Sequence, residues 1–514
     1  MGAEKIVTKE QFKNIRKELK NQGKTIVLCH GVFDLLHLGH IEHFIDAKKH
    51  GDVLVVSITA AEYVNKGPGR PYFNDDQRLE FLSNLEIVDY CLLSESVTVH
   101  DIVECVQPDV YAKGKEYEKE SNDISENIGS EVEIVHRYGG EVYYTEGEVH
   151  SSSKLLNRFF AALPEKALQS SIEMKERYGS KLISDIRKAI DGFRDIKILV
   201  VGDVILDEYV FCNVQGVTMK DASLSVFYDN EERYAGGALA IARHLAGFSN
   251  HVALCSMTGT EEGTRSFIRN NMGNISLEIL EDSEFTTPVK RRYLKANMQR
   301  QEFDKLFSVN RLMKRGERKR FNYHAFHERL KRIIGGYDMV VVGDFGHGLL
   351  DEEAIRILES KSKFLAINCQ SNSANMGTNI ITKYKRADVF VVDERELRLA
   401  FGQALQRREE LLAKLTDRMG SKYSWVTVGA EGAYGIKESE TTLQPALTLS
   451  VKDTVGAGDA FYSLASMCAF SGVAIEPATL IANAAGALKT GVVGNKESVQ
   501  KIDLLKFINT VLNV

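Results

Sequence analysis

The sequence predicts an α/β protein of two unequal units, each built on a parallel sheet. Two segments far apart in the chain begin alike, with a charged helix-like stretch followed by a short β-branched apolar run that ends in a glycine turn. They are Thr25-Ile-Val-Leu-Cys-His-Gly31 and Lys197-Ile-Leu-Val-Val-Gly-Asp203. Such a run reads as a buried parallel strand, and the turn at its C-terminal end is where α/β folds place ligands. After each, strand-length apolar runs alternate with helix-length ones. The length of 514 residues corresponds to roughly three domains at about 150 residues each, or to two of unequal size.

In the first unit, Ile41–His50 reads as helix, Val53–Ile58 as strand, Asp75–Ser83 as helix, and Val88–Leu93 and Val110–Ala112 as strands. Ser151 to Arg194 is charged, helical in pattern and punctuated by Pro164. The second unit continues with strands near Val252–Ser256, Met339–Val342, Phe364–Ile367, Val389–Val392 and Trp425–Val428, the single Trp425 reading as core. The expected division is 1–160, a helical connector over 161–194, and 195–514.

Composition narrows the class. Hydrophobic residues are 44% and charged residues 26% of the chain, as in ordinary globular proteins. Lys and Arg number 65 against 71 Asp and Glu, a net charge of −6, so no global basic field exists to hold nucleic acid. Seven cysteines are scattered without CxxC spacing, which predicts reduced thiols and a cytoplasmic setting. The start lacks the apolar core of a signal peptide, Ile6 stands where N-myristoylation needs Ser or Thr, and no run approaches the ~20 apolar residues of a membrane span. No membrane or nucleic-acid partner is expected.

The first chemistry lies in His30-Gly31-Val32-Phe33-Asp34-Leu35-Leu36-His37-Leu38-Gly39-His40. Two imidazoles flank a glycine between a predicted strand and a predicted helix, whose free N–H groups and partial positive charge suit phosphate. The His-x-Gly-His tetrad alone also fits a pair of surface turn histidines. The fuller string, through Gly31, Phe33, Asp34, His37, Gly39 and His40, resembles the HxGH nucleotidyltransferase superfamily in its cytidylyltransferase-like branch. It continues through Lys49, Asp76-Gln77-Arg78, Tyr111-Ala-Lys113, Gly139-Gly140 and Ser151-Ser152-Ser153, as in the adenylyltransferase half of bifunctional heptose-phosphate kinase/adenylyltransferases. The resemblance implies a Rossmann-like fold in which a substrate phosphate attacks the α-phosphorus of ATP or CTP. His37 and His40 would be catalytic. Gly31, Phe33, Asp34, Gly39, Lys49, Lys113 and Ser151 to Ser153 would hold nucleotide or phosphate, with Mg²⁺ offsetting charge. The serines also fit an ordinary helix cap, and Arg78 contacts either triphosphate or its own helix.

The second chemistry lies in Asp453-Thr-Val-Gly-Ala-Gly-Asp459. Gly456, Ala457 and Gly458 would point N–H groups into an anion hole, with Asp459 as general base toward a hydroxyl. A tight strand-to-helix turn with a capping Asp gives the same pattern. Asp453-Thr454-x-Gly456-Ala457-Gly458-Asp459-x-Phe461 resembles the ribokinase/PfkB sugar-kinase signature. That resemblance implies a ribokinase-like α/β domain with a small β lid near 209–235, ATP and Mg²⁺ as cofactors, and a homodimer. Asp203, Asp207, Gly236, Gly237 and Asp344 would meet substrate, Gly429, Gly432 and Asn483 would meet nucleotide, and Glu396 would act on Mg²⁺ indirectly.

Three departures mark the pattern. Ala240 stands where the family carries Asn, Asp393 replaces the Asn of N-x-x-E, and Asn368-Cys369-Gln370-Ser371 replaces an Asp-Pro-Lys-Gly-like stretch. The amide-rich run that follows, from Asn372 to Asn379, suits either a polyol or a satisfied polar loop. The charge runs Lys290 to Lys295 and Lys314 to Arg320 read as solvated faces, with a sugar phosphate as the second reading for the former. His347 in its glycine turn reads as a binding or solvated residue. The expected function is sugar phosphorylation followed by nucleotidyl transfer. The alternatives are a kinase-like unit that only binds, regulates or dimerises, and a nucleotide sensor without turnover.

Overall fold

Ile26–Gly31 forms strand β1, the middle of a five-stranded parallel sheet. Its partners are β2 (Val53–Thr59), β3 (Tyr90–Ser94), β4 (Val110–Gly114) and β5 (Glu141–Thr145), in the order β3-β2-β1-β4-β5. This computed structural model describes residues 2–64, 71–96, 98–115, 128–146, 163–297, 302–313, 323–373, 375–402, 405–448 and 451–513. The chain forms two compact units, Met1–Leu163 with Leu505–Val514, and Pro164–Leu504.

In the N-terminal unit, alternation along each strand sends side chains to opposite faces. Ile26, Leu28, Val53 and Val55 join Phe12 and Ile102 on one face. Val27, Cys29, Leu54 and Val56 join Phe44 and Leu82 on the other. Strand order reverses between β1 and β4, and such a switch point opens a crevice beyond the strand ends. The helix after β1 spans Leu38–Lys48. It begins three residues before the expected Ile41, because His37 with extended backbone is itself the N-cap. The helix Asp75–Ser83 has its expected bounds, set by a capping box between Asn74 and Gln77.

The C-terminal unit opens with helices Glu165–Tyr178 and Leu182–Asp191. Its main sheet contains β6 (Lys197–Gly202), β9 (His251–Thr258), β10 (Ser276–Glu281), β13 (Met339–Asp344), β14 (Leu365–Cys369), β15 (Val389–Asp393), β16 (Tyr423–Thr427), β17 (Ala433–Lys437) and β18 (Glu440–Gln444). The order is β10-β9-β6-β13-β14-β15-β16-β17-β18. Pairing is parallel from β10 to β16 and antiparallel over β17 and β18. The order reverses between β6 and β13, so this sheet too has a switch point. Trp425 is fully buried, its indole N–H donating to Thr479 Oγ1 over 2.8 Å.

A second sheet covers the strand ends. It contains β7 (Val204–Val217), β8 (Leu224–Gly237), β11 (Val289–Asn297) and β12 (Glu302–Arg311), ordered β12-β11-β7-β8. The expected lid near 209–235 is thus half of a four-stranded one. Its other half is the segment read as a charge run: Lys290 and Arg292 alternate with Arg291 along β11, as the pleat requires. No helix among the described residues is long and apolar enough to cross a membrane.

Candidate active sites

In the N-terminal unit, β1 delivers the chain into a strained turn where Phe33 has φ 45°. Asp34, buried, accepts the N–H groups of Tyr72 and Phe73 at 2.8 and 2.9 Å. The turn ends at the helix Leu38–Lys48, with His37 as cap and Gly39 and His40 in the first turn. The two imidazoles stack with centroids 4.0 Å apart, and Phe33 meets the His40 ring edge-on at 5.4 Å. Gly31 faces the Phe33 ring so closely that a Cβ there would stand 3.1 Å from it. The two imidazoles therefore flank the N–H groups of Leu38 and Gly39 at one helix start.

Arg78, Lys113 and Lys49, also expected to meet phosphate, have partners within the fold. Arg78 is fully buried and donates to the Val32 carbonyl at 2.7 Å and to Asp75 at 2.5 Å, so the alternative on its own helix is the one the geometry favours. Lys113 lies 2.6 Å from Glu131, and the exposed Lys49 lies 3.3 Å from Asp46. Ser151, Ser152 and Ser153 fall outside the described residues. On the same helix as His40, His43 Nδ1 lies 2.8 Å from Thr145 Oγ1. Burial pushes His43 down to about 4, so its ring is neutral at physiological pH.

In the C-terminal unit, the helix Ala457–Phe470 starts at Gly456, whose φ of 82° suits glycine. A Cβ on Gly456 would meet Asn495 Oδ1 at 2.3 Å. Asp459 stands in the first helical turn and faces a pocket of about 310 Å³. Asp207, Gly237, Lys290, Arg292, Gln370, Glu396, Gly456, Gly458 and Asn495 are among the residues lining it. Burial pushes the Asp459 carboxyl up to about 7; Asp207 adds to the rise, while a hydrogen bond from Gln370 and the charges of Lys290 and Lys489 oppose it. Glu396 is also lifted by burial to about 7, with its oxygens accepting the N–H groups of Ser371 and Asp393 at 2.9 and 3.0 Å. Asp393 in turn caps the helix Glu394–Phe401.

Asp207 is held from two sides, by Arg292 at 2.5 Å and by the Asn495 amide at 3.1 Å. Gly236 leaves room for it, since a Cβ there would fall 2.1 Å from Asp207 Oδ2. Lys290 sits over the Phe345 ring, its Nζ 5.8 Å from the centroid, and burial lowers its pKa. Lys290 and Arg292 thus line the pocket, against their reading as a solvated face, because strand alternation turns every second charge of β11 inward. Arg291 points to the other face and pairs with Glu208 at 2.6 Å.

Asp203 and Asp344 do not join this pocket. Asp203 accepts the N–H groups of Phe345, His347 and Leu349 at 3.1 to 3.3 Å and fastens that turn to β6. Burial lifts it to about 6. Asp344 binds Lys383 at 2.5 Å and the Tyr384 hydroxyl at 2.6 Å, in a separate cavity of about 340 Å³ that His347, Asn375 and Asn379 also line. The amide-rich stretch behaves as a satisfied polar loop: Asn372 and Asn375 donate to the Phe345 carbonyl at 2.9 and 2.8 Å, and Asn379 to the carbonyls of Asp344 and Gln370. Ala240 is buried on the helix Ala238–Ala246. Gly429 and Gly432 form the left-handed turn after β16. Gly432 presses on the Gln444 carbonyl, which also lies 3.4 Å from the Asn483 amide.

The Bifunctional protein HldE of Aliarcobacter butzleri is 36% identical over 132 residues, 25% of this chain and 28% of that protein. The protein of the same name from Campylobacter fetus is 25% identical over 312 residues, 59% of this chain and 64% of its own. The chain therefore spans less than two thirds of the length of each of these relatives. A crystal structure of phosphofructokinase-2 from Escherichia coli in complex with potassium aligns over 62% of this chain and 99% of its own, at 15% identity and a TM-score of 0.49. Residues 28–177 match the cytidylyltransferase-like family. Residues 195–502 match the pfkB family of carbohydrate kinases, and the chain belongs to that family, with a cytidylyltransferase-like domain ahead of it.

Proposed function

We propose that the chain is a bifunctional enzyme of activated-sugar synthesis. Residues 195–514 would phosphorylate a sugar that already carries an anionic group. Residues 1–160 would then join the resulting sugar phosphate to a nucleotide from ATP or CTP. The observation that carries this reading is the convergence of Asp459, the Gly456–Gly458 helix start, Glu396, Lys290 and Arg292 on one pocket.

In the kinase step the acceptor hydroxyl gives its proton to Asp459 and its oxygen attacks the γ-phosphorus of ATP. The bond to the bridging oxygen breaks and ADP leaves. The helix-start N–H groups face the charge on the transferred group. Lys290, beyond the paired Asp207 and Arg292, suits an anionic substituent on the acceptor. A magnesium ion would accompany the triphosphate, and Glu396, one of the carboxylates lining the pocket, would order its water shell. When bound, magnesium offsets the triphosphate charge.

In the transferase step an oxygen of the sugar phosphate attacks the α-phosphorus, and pyrophosphate leaves. The acceptor is already ionised, so no base is required, and His37 and His40 would donate to the developing charge. The exposed lid residues Phe227, Tyr228, Phe307 and Val309 are the surface we assign to a second copy of the chain. Seven buried free thiols suit a cytoplasmic setting.

The test supplies ATP or CTP with a panel of sugar phosphates and follows ADP and pyrophosphate separately. Both products are expected. Pyrophosphate without ADP would leave the kinase-like unit a binding or dimerising module, and no pyrophosphate with any triphosphate would overturn the transferase.

A further inference from the structure

We propose that Gln370 is a positioning residue of the kinase centre: its side-chain amide holds one oxygen of Asp459 and leaves the other for the acceptor hydroxyl. The inference rests on the kinase reading above. Gln370 Nε2 donates to Asp459 Oδ1 over 2.9 Å, and both residues line the same pocket.

The amide is presented from a tied segment. The Gln370 N–H donates to the Asp344 carbonyl at 2.8 Å, and its carbonyl accepts from the buried Asn379 amide at 3.0 Å. The next residue, Ser371, donates its N–H to Glu396 at 2.9 Å. Asp344 and Asn379 are themselves bonded to Lys383 and Tyr384. The pocket that lacks Asp344 is therefore served by it at one remove.

The choice of an amide matters chemically. It donates without carrying charge and neither takes nor releases a proton at working pH. A base in this pocket must be ionised before the acceptor arrives, yet burial and the Asp207 charge favour its protonated form. Lys290 on the lid and Lys489 on the helix Ile475–Thr490 oppose that, while Glu396 stands across the pocket as a further carboxylate. Gln370 adds a directed donor to the ionised form and fixes which oxygen is occupied.

The test compares Gln370→Met, Gln370→Glu and Gln370→Lys in the full-length protein. Two readouts serve: the pH profile of kcat for ADP formation, and the titration of the Asp459 carboxyl by ¹³C NMR on aspartate-labelled protein, its signal identified by loss in Asp459→Asn. Gln370→Met is expected to move both midpoints upward by about one pH unit, the scale of one hydrogen bond to a charged group, and to leave KM for ATP unchanged. Gln370→Glu moves them further, and Gln370→Lys, which keeps a donor, returns them to or below wild type. If Gln370→Met fails to fold, the Glu and Lys pair carries the comparison. A pH-independent loss of kcat with an unmoved Asp459 midpoint overturns the proposal. If wild type forms no ADP with any acceptor, the kinase reading fails and the proposal with it; an Asp459 midpoint that still responds to Gln370→Met distinguishes that failure from an absent contact.

Discussion

The helix starting at Leu38 and the helix starting at Ala457 offer the same device, N–H groups at a helix start, with opposite companions. The first is flanked by two stacked imidazoles. The second is preceded by a left-handed glycine and carries a buried carboxylate in its first turn. Under the proposed function the difference follows from the acceptor. An ionised phosphate needs only stabilisation of the charge it builds, whereas a hydroxyl must first lose a proton. On that reading the helix start is shared, and its neighbours decide which acceptor it serves.

Single substitutions should separate the two. Asp459→Asn is expected to lower ADP formation by about 10²- to 10⁴-fold, the usual worth of a general base, and to leave pyrophosphate release intact when the phosphorylated product is supplied as acceptor. His40→Ala should do the reverse, with a loss of about 10²- to 10³-fold, the scale of one donor removed from a developing charge. A His40→Ala enzyme that loses both products would break the division into independent centres. Lys290→Met should raise KM for an anionic acceptor by roughly tenfold, which corresponds to about 1.4 kcal/mol, while a neutral sugar is used no worse.

pH sharpens the contrast. ADP formation should fall as the pH drops through about 7, where Asp459 takes up its proton, and pyrophosphate release should lack that limb. Stability gives the smallest effect. Asp203, Asp459 and Glu396 hold their protons more tightly folded than unfolded. Their contribution is full below the ordinary carboxylate range and is lost as the pH rises through about 6 to 7. In the N-terminal unit Asp46 and Asp52 act oppositely. Burial pushes Asp46 up but is outweighed by the Glu146 N–H and its other donors, and the Thr25 N–H lowers Asp52. Their contribution is lost as the pH falls through their lowered values. Thermal unfolding followed separately in each unit should show the two slopes with opposite sign.

Much of this was legible in the sequence where the signal was local. The helix Asp75–Ser83 kept its bounds because Asn74 and Gln77 cap it within four residues. The helix after β1 begins earlier than its pattern suggests: His37, with extended backbone, caps it, and Leu38-Gly39 belong to its first turn. What stayed hidden depends on partners distant in the chain. Gln370 meets Asp459 across 89 residues, and Asn495 meets Asp207 across 288. The charges of β11 gave no strand signal, since their alternation is between two charged faces rather than apolar and polar ones. Asp203 and Asp344 matched family positions, yet each carboxylate is spent on its own fold.

The bonds of Asp203 also constrain how the C-terminal unit folds. Its three donors lie 142 to 146 residues further along the chain. The carboxylate cannot meet these donors until β13 has docked beside β6, so the bond closes a loop of 142 to 146 residues. A ribosome-bound chain that ends before Leu349 should remain protease-sensitive around β6 and β9, however much of the preceding sequence has been made.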